Sequence, residues 1–185
     1  SLRPDVDRLT YSVIIKFDKE FSIIDSWIGK TVIHSNKRFT YEEAQNSIDN
    51  NDSIFHNELT ILNSIAKKIR GNRFISGSFN FGSDEIKFKL NEKKEPIEVY
   101  KKQRKDTHKM VEEYMLLANK IVAEEIITLE KEEKKNYPFV YRIHEEPEQG
   151  KVNELKNYIK QFGYTINTEE GNLANSMNKL MKEIK

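Results

Sequence analysis

The chain has 185 residues, of which 37% are hydrophobic and 33% charged; with ten Phe and eight Tyr this is the composition of a folded, highly charged domain, not of a disordered chain. Lys plus Arg number 31 against 30 Asp plus Glu, so no basic excess points to a nucleic-acid partner. There is no cysteine, which excludes disulfides, thiolate metal sites and a Cys nucleophile.

Residues 9–18 alternate, with Leu9, Tyr11, Val13, Ile15 and Phe17 on one face, the pattern of a strand. After the turn Asp18-Lys19-Glu20, residues 21–34 return as a second strand carrying Ile23, Trp27 and Val32. Thr40 and Glu43 have capping-box spacing, so a short helix is expected over 41–49, broken at Asn50-Asn51-Asp52. A second helix is expected over 53–70, with Leu59, Leu62, Ile65 and Ile69 in one stripe and Gly71 as its stop. Segments 86–90 and 96–100 read as a hairpin joined through residues 91–95.

The longest element is expected at 104–133. Met110, Tyr114, Leu117 and Ile121 form one stripe, and Val111, Met115, Leu116, Ala118 and Val122 widen it, which predicts a central helix buried on most sides. Residues 138–143 read as a strand, 150–162 as an amphipathic helix ended by Gly163, and 170–184 as another helix. The expected fold is α+β, a mainly antiparallel sheet packed on a long central helix, forming one domain over 1–185 with residues 163–185 as a helical tail. No apolar run reaches the roughly 20 residues that span a bilayer, and residues 1–5 lack the shape of a signal peptide. A cytoplasmic protein without membrane contact is therefore expected.

The sequence holds no phosphate-binding glycine loop, nucleophile elbow or His-Glu-x-x-His pair. His108 and Glu112 lie one helical turn apart, as a polar pair or as two ligands of a metal site with Glu113 nearby. Glu112 and Asn119 interrupt an otherwise apolar helix face, where a polar group needs an internal hydrogen bond or a polar groove. Phe79 and Phe81, set between Gly77 and Gly82, are either core residues or a platform for base stacking.

Five stretches carry a family resemblance: SLRPDVDRLTYSVIIKFD at the start, SNKRFTYEEA, GSFNFGSDEIKFKL, HKMVEEYMLLANKIVAE and PFVYRIHEEP. In this order and spacing they resemble the catalytic (RNB) domain of ribonuclease II/ribonuclease R-type exoribonucleases, over most of residues 1–163. The resemblance implies a parent enzyme that degrades single-stranded RNA processively from its 3′ end to nucleoside monophosphates. It also implies two divalent ions, Mg²⁺ in the usual case, held by an aspartate cluster. That cluster precedes the Ser-Leu-x-Pro segment in the family, and a later arginine motif and the flanking cold-shock and S1 modules are absent from this chain too. The expectation is an inactive internal fragment with no bound metal, carrying part of the RNA groove.

By the same resemblance Tyr41 contacts ribose, Glu112 helps to sense the 2′-hydroxyl, and Phe81 stacks on the 3′-terminal bases. Arg38, Asn119, Arg142 and His144 match supporting positions of the groove. Two other readings stand beside this one. A non-catalytic RNA-binding or scaffold module would use the same fold, and an unrelated metalloenzyme would use His108, Glu112 and His144.

Overall fold

The structure is a computed structural model that describes residues 3–78, 85–143, 145, 147–168 and 173–184; for residues 85 and 102 it describes the backbone alone. The elements run β1 (Asp7–Phe17), β2 (Ile23–His34), α1 (Tyr41–Asp49), α2 (His56–Ile75), β3 (Glu85–Leu90), β4 (Pro96–Lys102), α3 (Asp106–Glu133), α4 (Gln149–Lys160) and α5 (Leu173–Glu183). The chain divides into two compact units. The first comprises Ser1–Ile69 with Arg104–Tyr141, and the second Arg70–Gln103 with Arg142–Lys185.

In the first unit β1 and β2 form an antiparallel ribbon, from Asp7 opposite His34 to Phe17 opposite Ile23. The Asp18 carboxylate sets its turn by accepting backbone N–H bonds from Glu20 and Ser22, both at 2.8 Å. The hydroxyls of Thr10, Ser12 and Thr31 lie 2.6–3.1 Å apart across the strands. The predicted apolar face exists, but it is not covered along its length: Val13, Ile15 and Phe17 are half-buried, whereas Leu9 is 88% exposed and Tyr11 also faces water. α3 packs on β1, and a twisted two-stranded ribbon cannot keep one face turned to one helix over eleven residues.

α1 starts as its sequence dictates. Thr40 is extended at φ −77°, its Oγ1 accepts from the Glu43 backbone N–H at 3.2 Å, and the Glu43 carboxylate accepts from the Thr40 N–H at 2.7 Å. The bonds that the exposed Glu43 carboxylate accepts from the Thr40 N–H and, at 3.1 Å, from the Thr40 hydroxyl hold its pKa below the ordinary value. α2 does not stop at Gly71 but continues to Ile75. A mid-helix glycine costs about 1 kcal/mol without forbidding helix. The stop falls at Gly77, at φ +94°, where Gly77 N–H bonds the Phe74 carbonyl and Ser78 N–H the Arg73 carbonyl in a Schellman pattern.

α3 is the long helix expected, at 28 residues, but it is not buried on most sides. Thr107, Met110 and Glu113 are buried, while Val111, Met115, Leu116 and Ile127 are exposed. Among the described elements α1 and β1 pack on it, which covers one side. The Tyr114 hydroxyl donates to the Leu62 carbonyl of α2 at 3.0 Å, and partial burial raises its pKa to about 12. The strand expected at 138–143 is also absent. No described strand pairs with these residues, so their backbone stays irregular, and Val140 is 93% exposed.

In the second unit β3 and β4 form the expected hairpin. The Asn91 carboxamide oxygen accepts from the N–H groups of Lys93 and Glu95 in its loop. α4 and α5 enclose a small core of Ile159, Ile166 and Leu180. Gly163, at φ +82°, closes α4 as its position predicts. The observed class is α+β with antiparallel sheets, as expected. Among the described residues no helix is long and apolar enough to cross a membrane.

Trp27 lies across the ribbon over Gly29, and a Cβ at Gly29 would stand 2.3 Å from the indole ring. Gly29→Ala is therefore expected to push the indole off the sheet into water. Trp27 is the sole tryptophan, so its fluorescence maximum should move to the red; an unchanged spectrum would mean that the ring does not rest on Gly29.

Candidate functional site

The first unit contains a concavity of about 730 Å³ where the start of α1 faces the start of α3. Leu59, Met110 and Val111 supply its apolar wall, and Arg38, Tyr41 and Glu42 line it from the loop before α1 and its first turn.

Thr107 is 1% exposed and joins the two helices. Its hydroxyl donates to the Tyr41 carbonyl at 3.1 Å, and its backbone N–H donates to the Gln45 side-chain oxygen at 3.2 Å. Asp106, in the first turn of α3, pairs with Lys67 at 2.9 Å and Lys109 at 3.1 Å. The hydrogen bond from Lys67 is the largest influence and outweighs the opposing effect of burial; with the lesser contribution of Lys109 it holds the carboxyl below its ordinary range.

Tyr41 is placed by these bonds. Its ring is stacked on His108, with centroids 4.1 Å apart and planes 13° from parallel. His108 is one helical turn before Glu112 and so shares its face of α3. Glu112 is ion-paired with Arg104, the side chains being 27% and 56% exposed. The carboxylate that interrupts the apolar helix face is thus matched by a charge from just before the helix.

Of the residues singled out from sequence, Arg38 and Tyr41 both line the concavity, and Glu112 lies one turn beyond the residue on which Tyr41 stacks. Asn119 is exposed further along α3, and Arg142 is exposed in the second unit. Phe81 and His144, like Phe79, lie outside the described residues. His108 and Glu112, weighed as a metal pair, contact Tyr41 and Arg104 respectively. Among the described residues no group of three His, Cys, Asp or Glu side chains is arranged to hold a metal ion.

Sequence reasoning missed Thr107 and Arg104. Thr107 carried one readable signal, its place in the first turn of a long helix, but its partner is 66 residues away. Thr107→Val removes the hydroxyl at nearly constant volume and with it the bond from α3 to the Tyr41 carbonyl. It is expected to lower the unfolding free energy by about 0.5–1.5 kcal/mol. Urea denaturation checks this, and an unchanged midpoint would show that the joint does not depend on that bond.

The sequence profile of the RNB domain matches residues 1–185. The chain is 31% identical over 199 aligned positions to a DIS3-like exonuclease 2 of Caenorhabditis elegans, covering 97% of this chain and 23% of that protein. It is 28% identical to an inactive exonuclease DIS3L2 of Arabidopsis thaliana, covering 100% of this chain and 19% of that protein. Among solved structures, RNase R of Mycoplasma genitalium in complex with ribose methylated single-stranded RNA superposes with a TM-score of 0.82 at 20% identity. That match covers 99% of this chain and 29% of the RNase R chain, and it shows a shared fold. The chain thus spans about a fifth to a quarter of the length of these two curated relatives.

Proposed function

The chain belongs to the RNB-domain family, whose members are exoribonuclease hydrolases with inactive relatives among them, and on that premise we propose that it forms part of the RNA groove of a 3′-to-5′ exoribonuclease. In this reading the chain is one domain, the middle part of an RNB catalytic domain, in a cytoplasmic protein that also carries cold-shock and S1 modules. The whole protein degrades single-stranded RNA processively to nucleoside monophosphates. It does so with Mg²⁺ held by carboxylates outside the site described above. The share of the work assigned to this chain is binding.

The observation that carries the proposal is the placement of Tyr41 against α3, stacked on His108 one turn before Glu112. A phenol and a carboxylate referenced to the same two turns of helix suit a ribose, whose 2′-hydroxyl both donates and accepts. The fold shared with an RNase R that was solved with single-stranded RNA supports the same reading. Phe81 adds the base-stacking part, and Arg38, Asn119, Arg142 and His144 the supporting part. A second reading, a non-catalytic RNA-binding or scaffold module, is favoured by one finding: a full-length match to a relative described as inactive.

The test is a paired assay on the chain and on the whole protein. Labelled single-stranded RNA and matched DNA are followed by anisotropy and product length at low salt with Mg²⁺. RNA preference without cleavage by the chain, and stepwise shortening by the whole protein, are the expected results. Binding without cleavage by both would favour the non-catalytic module. Shortening by the chain alone would put the metal ligands inside it and overturn the division of labour.

Two substitutions in the whole protein sharpen this. Glu112→Ala is expected to weaken RNA binding by about 1.5–3 kcal/mol, the range for a hydrogen bond to a charged group, and to leave DNA binding nearly unchanged. Equal losses on both strands would make Glu112 structural. Phe81→Ala is expected to weaken single-stranded RNA binding by about 1–3 kcal/mol, one base stack. Unchanged affinity would remove Phe81 from the groove.

A further inference from the structure

We infer that His108 is a positioning residue for the selection of RNA over DNA, acting through Tyr41 without touching the nucleic acid. The inference rests on the proposed reading of Tyr41 and Glu112 as ribose contacts, and goes beyond it by naming what fixes their relative placement.

Tyr41 is the first residue of α1, and its backbone is fixed twice. The capping box of Thr40 and Glu43 immediately precedes it, and its carbonyl accepts from the Thr107 hydroxyl. Neither contact fixes the ring. Tyr41 remains 44% exposed, and its two side-chain torsions are set by what the ring leans on. The ring leans on the His108 imidazole, nearly parallel at 4.1 Å. A flat, close stack of this kind determines the ring plane, and with it the position of the phenol oxygen at the ring's far end.

The same stretch of α3 fixes the second group. Glu112 is one turn after His108 on the same helix face, and Arg104 clamps its carboxylate. The phenol and the carboxylate are therefore each held by a neighbour, one by the His108 ring of α3 and one by the Arg104 guanidinium just before that helix. A 2′-hydroxyl placed between them can receive a hydrogen bond from the phenol and give one to the carboxylate. DNA lacks the hydroxyl and gains nothing from the arrangement. Loss of the stack frees the Tyr41 ring to turn away, and the penalty falls on RNA alone.

The experiment uses the whole protein and measures dissociation constants for single-stranded RNA and the matched DNA. His108→Ala is expected to reduce the RNA-over-DNA preference by about three- to tenfold, the size of one aromatic pair, with DNA affinity unchanged. His108→Phe restores a flat ring and is expected to recover most of the preference. His108→Leu fills the space without a planar face and should behave like His108→Ala; it carries the comparison if the alanine variant does not fold. Tyr41→Phe is the control on the underlying reading. If Tyr41→Phe leaves the preference intact, the ribose reading falls and this inference with it. If Tyr41→Phe narrows the preference while His108→Ala and His108→Leu do not, the inference alone is overturned. Equal losses on RNA and DNA, or a phenylalanine variant as poor as leucine, overturn it as well.

Discussion

The arrangement of the first unit depends on one buried threonine. Thr107 sits where α1 and α3 begin, 1% exposed, and bonds α1 through both its hydroxyl and its backbone N–H. A hydrogen bond within the fold is worth about 0.5–1.5 kcal/mol, and Thr107 makes two to α1, whereas an exposed ion pair is worth about 0–1 kcal/mol. The Lys67–Asp106, Lys109–Asp106 and Lys105–Glu42 pairs around the joint are of the second kind. They tune the start of α3, and Thr107 determines where α1 meets it. Since Tyr41 is the residue whose carbonyl Thr107 holds, the side chain at the centre of the site is placed by the same contact that packs the unit.

Signals that act within a few residues were legible in the sequence. The Thr40–Glu43 capping box, the strand alternation from residue 9, the Asn91 loop and the Gly163 stop each work through backbone bonds of short span, and all appear in the structure. Failures arose where a local signal competed with a longer-range one. Gly71 reads as a stop, but a glycine ends a helix only when the chain takes a left-handed turn, and that turn falls at Gly77. Residues 138–143 have strand composition, yet a strand is a pairing relation, and none of the described strands pairs with them. The apolar width of α3 likewise says which faces favour burial, not which faces this chain covers.

The site was legible in a different proportion. Arg38 and Tyr41 are legible only through the family resemblance, and the residues alone leave Glu112 open between a groove and an internal bond. Arg104 and Thr107 have no period and no motif that marks them, and their partners are set by tertiary folding. His108 shows how a correct observation led to a different chemistry. Its spacing from Glu112 places both on one helix face, and the ring that His108 meets there is that of Tyr41.

The charge balance bears on how such a site discriminates. Glu112 is matched by Arg104, and Asp106 by Lys67 and Lys109, and of the charged residues that line the concavity Arg38 is offset in net charge by Glu42. Nucleic-acid affinity from phosphate neutralisation requires cations free to displace counterions, and it carries no information about the sugar. A locally neutral surface contributes little of that affinity. What remains is hydrogen bonding and stacking at fixed positions, whose strength falls steeply as geometry loosens. In the proposed reading, sugar selectivity therefore depends on the stiffness of the frame between Tyr41 and Glu112 as well as on their presence. That frame consists of the Arg104 clamp just before α3 and the Thr107 joint and His108 stack in its first turn.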